Sequence, residues 1–117
     1  MRLQHASVQV PADRLDDCIR FYEGVLGLRR IPNLAGVAWF QLDGGDQVHL
    51  LDGPGAAASR AHFALWVDDL AGCLSAVRET GQEPEPGSDL WGAPRWFVRD
   101  PAGNLVELFE TPPPAVP

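Results

Sequence analysis

Three histidines and one glutamate have the residue types and the spacing that favour metal chemistry. His5 and His49 lie 44 positions apart, and His62 and Glu107 lie 45 apart. Each falls in a segment whose pattern predicts a β-strand, and by alternation all four can lie on sheet faces opposite the helix-covered ones. Three imidazoles and one carboxylate suit a divalent transition metal with space left for water or substrate. We therefore predict that these four residues bind zinc, nickel, manganese, cobalt or iron(II).

Glu107 is unusual for its position in the last predicted strand, Leu105 to Phe109. Its neighbours in that strand are apolar. A carboxylate between apolar neighbours costs free energy to bury unless it has a partner. We expect the rest of the chain to supply that partner.

Each functional interpretation has a structural alternative. A single histidine on a strand is more often a hydrogen-bonded structural residue than a ligand, and only the set of four favours a metal. Arg95 and Arg99 are expected to be solvated surface charges rather than contacts to an anionic substrate. Aromatic residues are expected in the core or in a cavity wall: Tyr22, Trp39, Trp66, Trp91 and Trp96.

An internal repeat indicates the architecture. His5 and His62 are 57 positions apart, as are Trp39 and Trp96. With one extra residue in the second turn, His49 and Glu107 are 58 apart. The repeat predicts an α+β fold of two βαβββ modules related by a pseudo-two-fold axis. The strands should form a cup-shaped, partly closed barrel with the helices outside.

The predicted boundaries follow the turn and linker signals. The first module is 1–52, a linker is 53–60, the second module is 61–110, and 111–117 is a loose proline-rich tail. Asp13 is the predicted N-cap of the first helix, and Asp68 or Asp69 caps the second. Gly27 and Gly81 are expected to end the two helices; both stand just after the predicted apolar stripes.

Composition excludes several function classes. The net charge of −7 argues against nucleic acid and anionic membranes as partners. All nine basic residues are arginines, which excludes Schiff-base lysine chemistry. Two cysteines without paired spacing argue against a disulfide framework or a cysteine-built zinc site. No apolar signal or membrane segment is recognised, so we expect a cytoplasmic protein.

The chain resembles the vicinal oxygen chelate superfamily, which includes glyoxalases, bleomycin-resistance proteins, extradiol dioxygenases and fosfomycin-resistance enzymes. The resemblance covers residues 3–110 and rests on three motifs. They are Phe21-Tyr22-x-x-Val25-Leu26-Gly27-Leu28, His62 followed by Val67-Asp68-Asp69-Leu70, and Phe97-Val98-Arg99-Asp100-Pro101-Ala102-Gly103-Asn104-Leu105-Val106-Glu107-Leu108. The family places metal ligands on the first and last strands of each module, which here are the positions of His5, His49, His62 and Glu107.

The resemblance implies a glyoxalase-like, metal-dependent lyase or isomerase. Its small-molecule substrate would be chelated through vicinal oxygens, with Glu107 as the catalytic base. Glyoxalase I enzymes typically have glutamate at the position of His49, and this chain also shows no obvious glutathione-binding set. Both differences argue against lactoylglutathione as the substrate.

Three alternatives stay open. The first is a non-enzymatic protein that sequesters a small molecule or antibiotic, with the tryptophans as pocket wall. The second is an extradiol dioxygenase built on a triad of His5, His62 and Glu107. The third is a degenerate structural relative with no open coordination position. We expect a homodimer, and the sequence allows the four ligands to come from one chain or from two.

Overall fold

The computed structural model describes residues 1–32, 37–55, 59–112 and 115. The predicted linker 53–60 and tail 111–117 therefore lie partly outside the described residues. The described helices and strands form two units of the same type, one on each side of that linker.

The first module is β-helix-β-β-β. Its helical segment starts with a 3-10 turn, Ala12–Arg14, continues as α1 (Leu15–Ile19) and ends in π-helical turns, Arg20–Val25. The strands are β1 (His5–Val10), β2 (Arg29–Ile31), β3 (Ala38–Gln41) and β4 (Gln47–Asp52). The predicted N-cap at Asp13 is wrong, because Pro11 holds that position and Asp13 lies inside the first turn.

The second module repeats this order of elements. Its elements are β5 (His62–Trp66), α2 (Leu70–Glu79), β6 (Glu85–Pro86), β7 (Arg95–Arg99) and β8 (Leu105–Phe109). Asp69 caps α2 by accepting a hydrogen bond from the backbone N–H of Gly72 at 2.9 Å. Gly81 follows α2 with a φ of +93°, which favours glycine.

The two sheets have the same topology. The first has the order β1-β4-β3-β2 and the second β5-β8-β7-β6. In each, the first and last strands are parallel neighbours, and the other pairs are antiparallel. The predicted α+β fold with two βαβββ modules is thus confirmed. The described strands form two open sheets that are not closed into a barrel.

Strand register shows that the two hairpins are related by 58 positions, not 57. His49 lies opposite Trp39, and Glu107 lies opposite Phe97. The prediction that Trp39 corresponds to Trp96 is therefore wrong. Because this offset between the modules already applies to β7, the extra residue of the second module lies before β7. It does not lie in the turn after that strand. The physical consequence is large, because a shift of one residue moves a side chain to the opposite face of a strand.

A hydrophobic core joins the two modules. It lies where the helical segments pack on one face of each sheet, and alternate strand residues point into it. Tyr22 and Val77 are fully buried representatives of the two helical segments, and Phe40 and Leu108 represent the two sheets. The opposite face of each sheet carries the predicted ligands, and we call it the open face.

Asp100 links the modules through a buried hydrogen-bond network. Its carboxylate accepts bonds from the hydroxyl of Tyr22 at 2.8 Å and from the side-chain amide of Asn104 at 2.9 Å. It also accepts from the backbone N–H groups of Ala102 and Asn104. The amide of Asn104 donates further to the carbonyl of Gln9 at 2.9 Å. The β7–β8 turn is thereby tied to the first helical segment and to β1.

The helices of the described residues do not have the properties of a membrane span. None of them combines the length and the apolar character that crossing a bilayer needs.

Candidate functional site

The second module brings His62 and Glu107 together on its open face. The His62 Nε2 atom lies 2.9 Å from Glu107 Oε2, although 45 positions separate the residues. Parallel pairing of β5 with β8 places Ala64 opposite Glu107, so His62 reaches the carboxylate diagonally. Glu107 is only 5% exposed. The partner that the sequence predicts for this carboxylate is therefore present in the same module.

The tautomer of His62 is defined by its other ring nitrogen. Nδ1 lies 2.8 Å from the backbone carbonyl of Arg60, which only accepts, so Nδ1 carries a hydrogen. Nε2 then faces the carboxylate oxygen Oε2 of Glu107 at 2.9 Å, within hydrogen-bond distance. Both atoms are of the kind that a divalent transition metal binds. Metal-ligating histidines show the same arrangement, with the second nitrogen donating to a carbonyl.

Arg95 binds the other carboxylate oxygen of Glu107. Its Nη1 atom donates to Oε1 at 3.0 Å, and its Nε donates to the carbonyl of Ser88 at 2.9 Å. The guanidinium lies over the ring of Phe97, 5.2 Å from the ring centroid. Sequence reasoning assigned Arg95 to the solvated surface. Its side chain is one-fifth exposed and fixes the orientation of Glu107.

The first module brings its two histidines together in a different way. The ring of His49 stacks on Trp39 at 3.8 Å between centroids, and His5 stacks on the other side at 4.2 Å. These interplanar angles are 7° and 16°. The three residues lie on the adjacent strands β3, β4 and β1. The sequence predicted Trp39 in the core or a cavity wall and did not predict this stack, which depends on the register of β3 against β4.

Burial of His49 has an electrostatic consequence. His49 is 6% exposed, and its Nε2 atom lies 2.8 Å from Gln47 Oε1. Desolvation lowers the pKa of His49, and the neighbouring His5 lowers it further. The imidazole of His49 is consequently held in its neutral form, which is the form that binds a metal.

The two halves fit a metal ion to different extents. His62 and Glu107 offer a nitrogen and an oxygen that face each other at 2.9 Å. His5 and His49 do not fit as they are oriented, because the in-plane lone pairs of nearly parallel rings do not point at a common centre. One of these rings must turn before both can ligate a single ion.

The two halves do not meet within the described part of one chain. No hydrogen bond or ion pair there joins His5 or His49 to His62 or Glu107. Residues 1–32, 37–55, 59–112 and 115 also contain no cluster of three or more histidine, cysteine, aspartate or glutamate side chains arranged for a metal. The four-residue site therefore stays a prediction.

A cleft of about 630 Å³ lies between the modules, and none of the four predicted ligands lines it. Leu28 and Leu42 border it on the first module, and Trp66 and Cys73 border it on the second. Its size is in the range of small-molecule sites. Because it contains none of the four residues, it is not the predicted metal centre.

The comparison with family models identifies one match. The model described as Glyoxalase/Bleomycin resistance protein/Dioxygenase superfamily matches residues 2–108. A curated relative, an uncharacterized protein from Pseudomonas aeruginosa, is 34% identical, over 91% of this chain and 86% of that protein.

Solved structures of the same fold include proteins of different kinds. A glyoxalase family protein from Bacillus anthracis superposes with a TM-score of 0.81 at 24% identity, covering 93% of each chain. Lactoylglutathione lyase from Agrobacterium tumefaciens gives 0.72 at 25% identity over 92% of each chain. An antibiotic-binding protein from a Streptomyces species gives 0.74 at 19% identity, covering 93% of this chain and 94% of that one. An enzyme and a binding protein thus share this architecture.

Proposed function

The chain belongs to the Glyoxalase/Bleomycin resistance protein/Dioxygenase superfamily, and from this premise we propose that it is a metal-dependent enzyme of glyoxalase type. Its substrate would be a small molecule bound through two neighbouring oxygens, and the reaction an isomerisation or a lyase step. One observation carries the proposal. His62 presents Nε2 to Glu107 Oε2 at 2.9 Å while Nδ1 is held by a backbone carbonyl.

His62 and Glu107 would hold the metal, and His5 and His49 of a second copy would complete the set. Two features support a homodimer that closes the open faces on each other. Strands β1 and β5 each pair with one neighbour only, so each has a free edge in the described sheets. Leu51 is exposed on the open face of the first module, where a second copy would cover it.

When bound, a divalent transition metal supplies Lewis-acid polarisation of the substrate oxygens. Glu107 is the base of the proposed reaction. Arg95 fixes Oε1, so Oε2 is the oxygen that takes a proton from a substrate carbon and returns it to the neighbouring carbon. His62 keeps its orientation through Arg60 throughout. No net proton is gained or lost in such an isomerisation.

The proposal is tested by the metal content of untagged protein, measured by plasma mass spectrometry. We expect near-stoichiometric metal in the unmodified chain and a large loss in His62→Ala and Glu107→Gln. Ser7→Ala is the matched control, because Ser7 lies on the same open face as His5 without contributing a predicted ligand. No metal after titration with zinc, nickel, manganese or iron(II) would overturn the enzyme mechanism.

A second candidate function is non-enzymatic sequestration of a small molecule. The parallel stack of Trp39, His49 and His5 favours it, since rings stacked on one another do not present a chelating pair. A binding protein would keep its ligand affinity after chelation and in Glu107→Gln. The enzyme would lose turnover under both conditions.

A further inference from the structure

Three aromatic residues form a shelf at one end of the second open face. Trp66 on β5 lies opposite Phe109 on β8 in the strand register. The ring of Trp91 lies 6.2 Å from that of Phe109, with a 33° tilt. Trp66 is 63% exposed and Trp91 is 68% exposed. We call Trp66, Trp91 and Phe109 the aromatic shelf, and the mechanism proposed above does not use it.

The backbone around Trp91 holds its indole away from the core. Trp91 has a φ of +55°, and within the described ranges it is the one non-glycine residue with a positive φ. A bulky residue adopts this conformation at a cost in free energy, and such residues concentrate at ligand clamps. The loop is closed by paired backbone hydrogen bonds between Leu90 and Ala93, at 2.8 and 3.0 Å. The loop therefore holds Trp91 in a strained backbone conformation while its aromatic ring stays exposed.

The shelf lies beside the cluster of Arg95, Glu107 and His62. Phe109 follows Glu107 by two residues on the same face of β8, a spacing of about 7 Å along a strand. Arg95 lies directly opposite Phe109 in the register. Three of the five guanidinium N–H groups bind Glu107 and Ser88, which leaves two without a partner among the described residues. Arg95 thus combines unused donors with a position paired to Phe109 of the shelf.

We infer that the aromatic shelf binds the ring of a planar aromatic ligand whose anionic, oxygenated end lies against Arg95. This inference shares one assumption with the proposed function, namely that a small molecule binds to this face. Apolar rings around a few converging polar groups are typical of small-molecule sites. In a chain of net charge −7, an anionic ligand needs a local cation, and Arg95 lies opposite Phe109 of the shelf.

The test compares phenylglyoxylate with pyruvate by isothermal titration calorimetry. Both carry a carboxylate beside a ketone, and only phenylglyoxylate has a ring. We expect phenylglyoxylate to bind the unmodified protein about tenfold more tightly. Trp91→Gly should weaken phenylglyoxylate about three- to tenfold and leave pyruvate unchanged. Trp91→Tyr retains a ring and should restore most of the affinity.

Trp91→Gly is chosen because glycine accepts the positive φ without strain, so folding is not at risk. Three results would overturn the inference: no binding of phenylglyoxylate, equal losses for both ligands, or no loss in Trp91→Gly. Weaker self-association in Trp91→Gly with unchanged ligand affinity would also overturn it and assign the shelf to contacts between copies.

A parallel titration with a chelator separates this inference from the proposed function. Ring-dependent binding that persists without metal supports the shelf even if the metal-dependent mechanism fails. Stoichiometric metal together with equal affinity for the two ligands overturns the shelf and leaves the proposed function standing.

Discussion

The open faces of the two modules have equivalent backbones and different chemistry. Trp39, His49 and His5 in the first module occupy the same sheet positions as Phe97, Glu107 and His62 in the second. The first set forms a stack of parallel rings. The second forms an ion-paired cluster that includes Arg95.

A single position accounts for most of this difference. Where the first module has His49, the second has Glu107. A ring at this position stacks on its neighbours, whereas a carboxylate attracts a guanidinium and an imidazole. The comparison teaches that a repeat in the sequence specifies positions on a sheet but not the contacts that are made there.

The turns that support these faces show the same contrast. In the first, the backbone N–H of Leu42 donates to Asp46, and in the second that of Asp100 donates to Asn104. The two turns therefore have the same backbone pattern. A buried carboxylate at the second turn adds the network that reaches Tyr22 in the other module.

The largest predicted effect on stability comes from removing the carboxylate of Asp100, which distinguishes the second turn from the first. Asp100→Ala should lower the free energy of unfolding by about 3–5 kcal/mol, because it leaves several buried donors without an acceptor. The control is Asp46→Ala in the matching turn, with an expected loss below about 1 kcal/mol. Urea unfolding measures both. Equal losses would show that the network contributes no special stability.

The next largest effect on stability comes from substitutions at equivalent positions on the open faces of the two modules. Glu107→Ala should lower stability by about 2–3 kcal/mol, since Arg95 loses a charged partner near the core. His49→Ala at the equivalent position should cost about 1 kcal/mol, mainly through lost stacking. The same urea assay compares the two. A larger loss for His49→Ala would contradict the assignment of the second face as the electrostatic one.

Alkaline pH should lower the stability of the protein through Cys18, which is fully buried near Asp100. Burial, together with the charge of Asp100, raises the pKa of the Cys18 thiol from 9.0 to about 12. The unfolded thiol ionises above pH 9 while the folded one stays neutral. Stability contributed by the neutral thiol is therefore present below pH 9 and is lost between pH 9 and about 12.

Urea unfolding at several pH values from 8 to 11 checks this prediction. Cys18→Ala should start from a lower stability, because it leaves a cavity. It should then lose less stability than the unmodified chain as the pH rises. Parallel declines in the two proteins would refute the assignment to Cys18.

The smallest effect concerns the exposed end of each histidine pair. His5→Ala should change stability by about 0.5 kcal/mol, because an exposed ring on a stack contributes little. His62→Ala should cost about 1–2 kcal/mol, because it removes a hydrogen bond to a buried carboxylate. Thermal unfolding under identical conditions gives the ranking. The reverse ranking would contradict the contrast between stack and ion pair.

Much of the fold could be predicted from the sequence because it depends on local signals. Apolar alternation indicated the strands, Gly27 and Gly81 indicated the helix ends, and the spacing of the histidines indicated the repeat. The N-cap at Asp13 was wrong because Pro11, one position before the first turn, supplies a suitable start without a side-chain cap.

The contacts of the candidate site were less predictable because they depend on register. No local pattern sets the register that places Trp39 opposite His49, so the stack was missed. Arg95 was assigned to solvent, since no local pattern shows that it reaches Glu107 diagonally across β7 and β8. Tyr22 was expected to pack in the core, which it does, but its bond to Asp100 joins positions 78 apart.

The central claim is that the four predicted ligands meet only when two copies of the chain close their open faces on each other. The direct test co-expresses two variants, His5→Ala/His49→Ala and His62→Ala/Glu107→Ala, and measures metal per chain in the purified mixture. Each variant alone should hold almost no metal. With random pairing, half of the dimers contain one intact site, so the mixture should hold about one quarter of a metal ion per chain. A mixture with no more metal than the separate variants would contradict the claim.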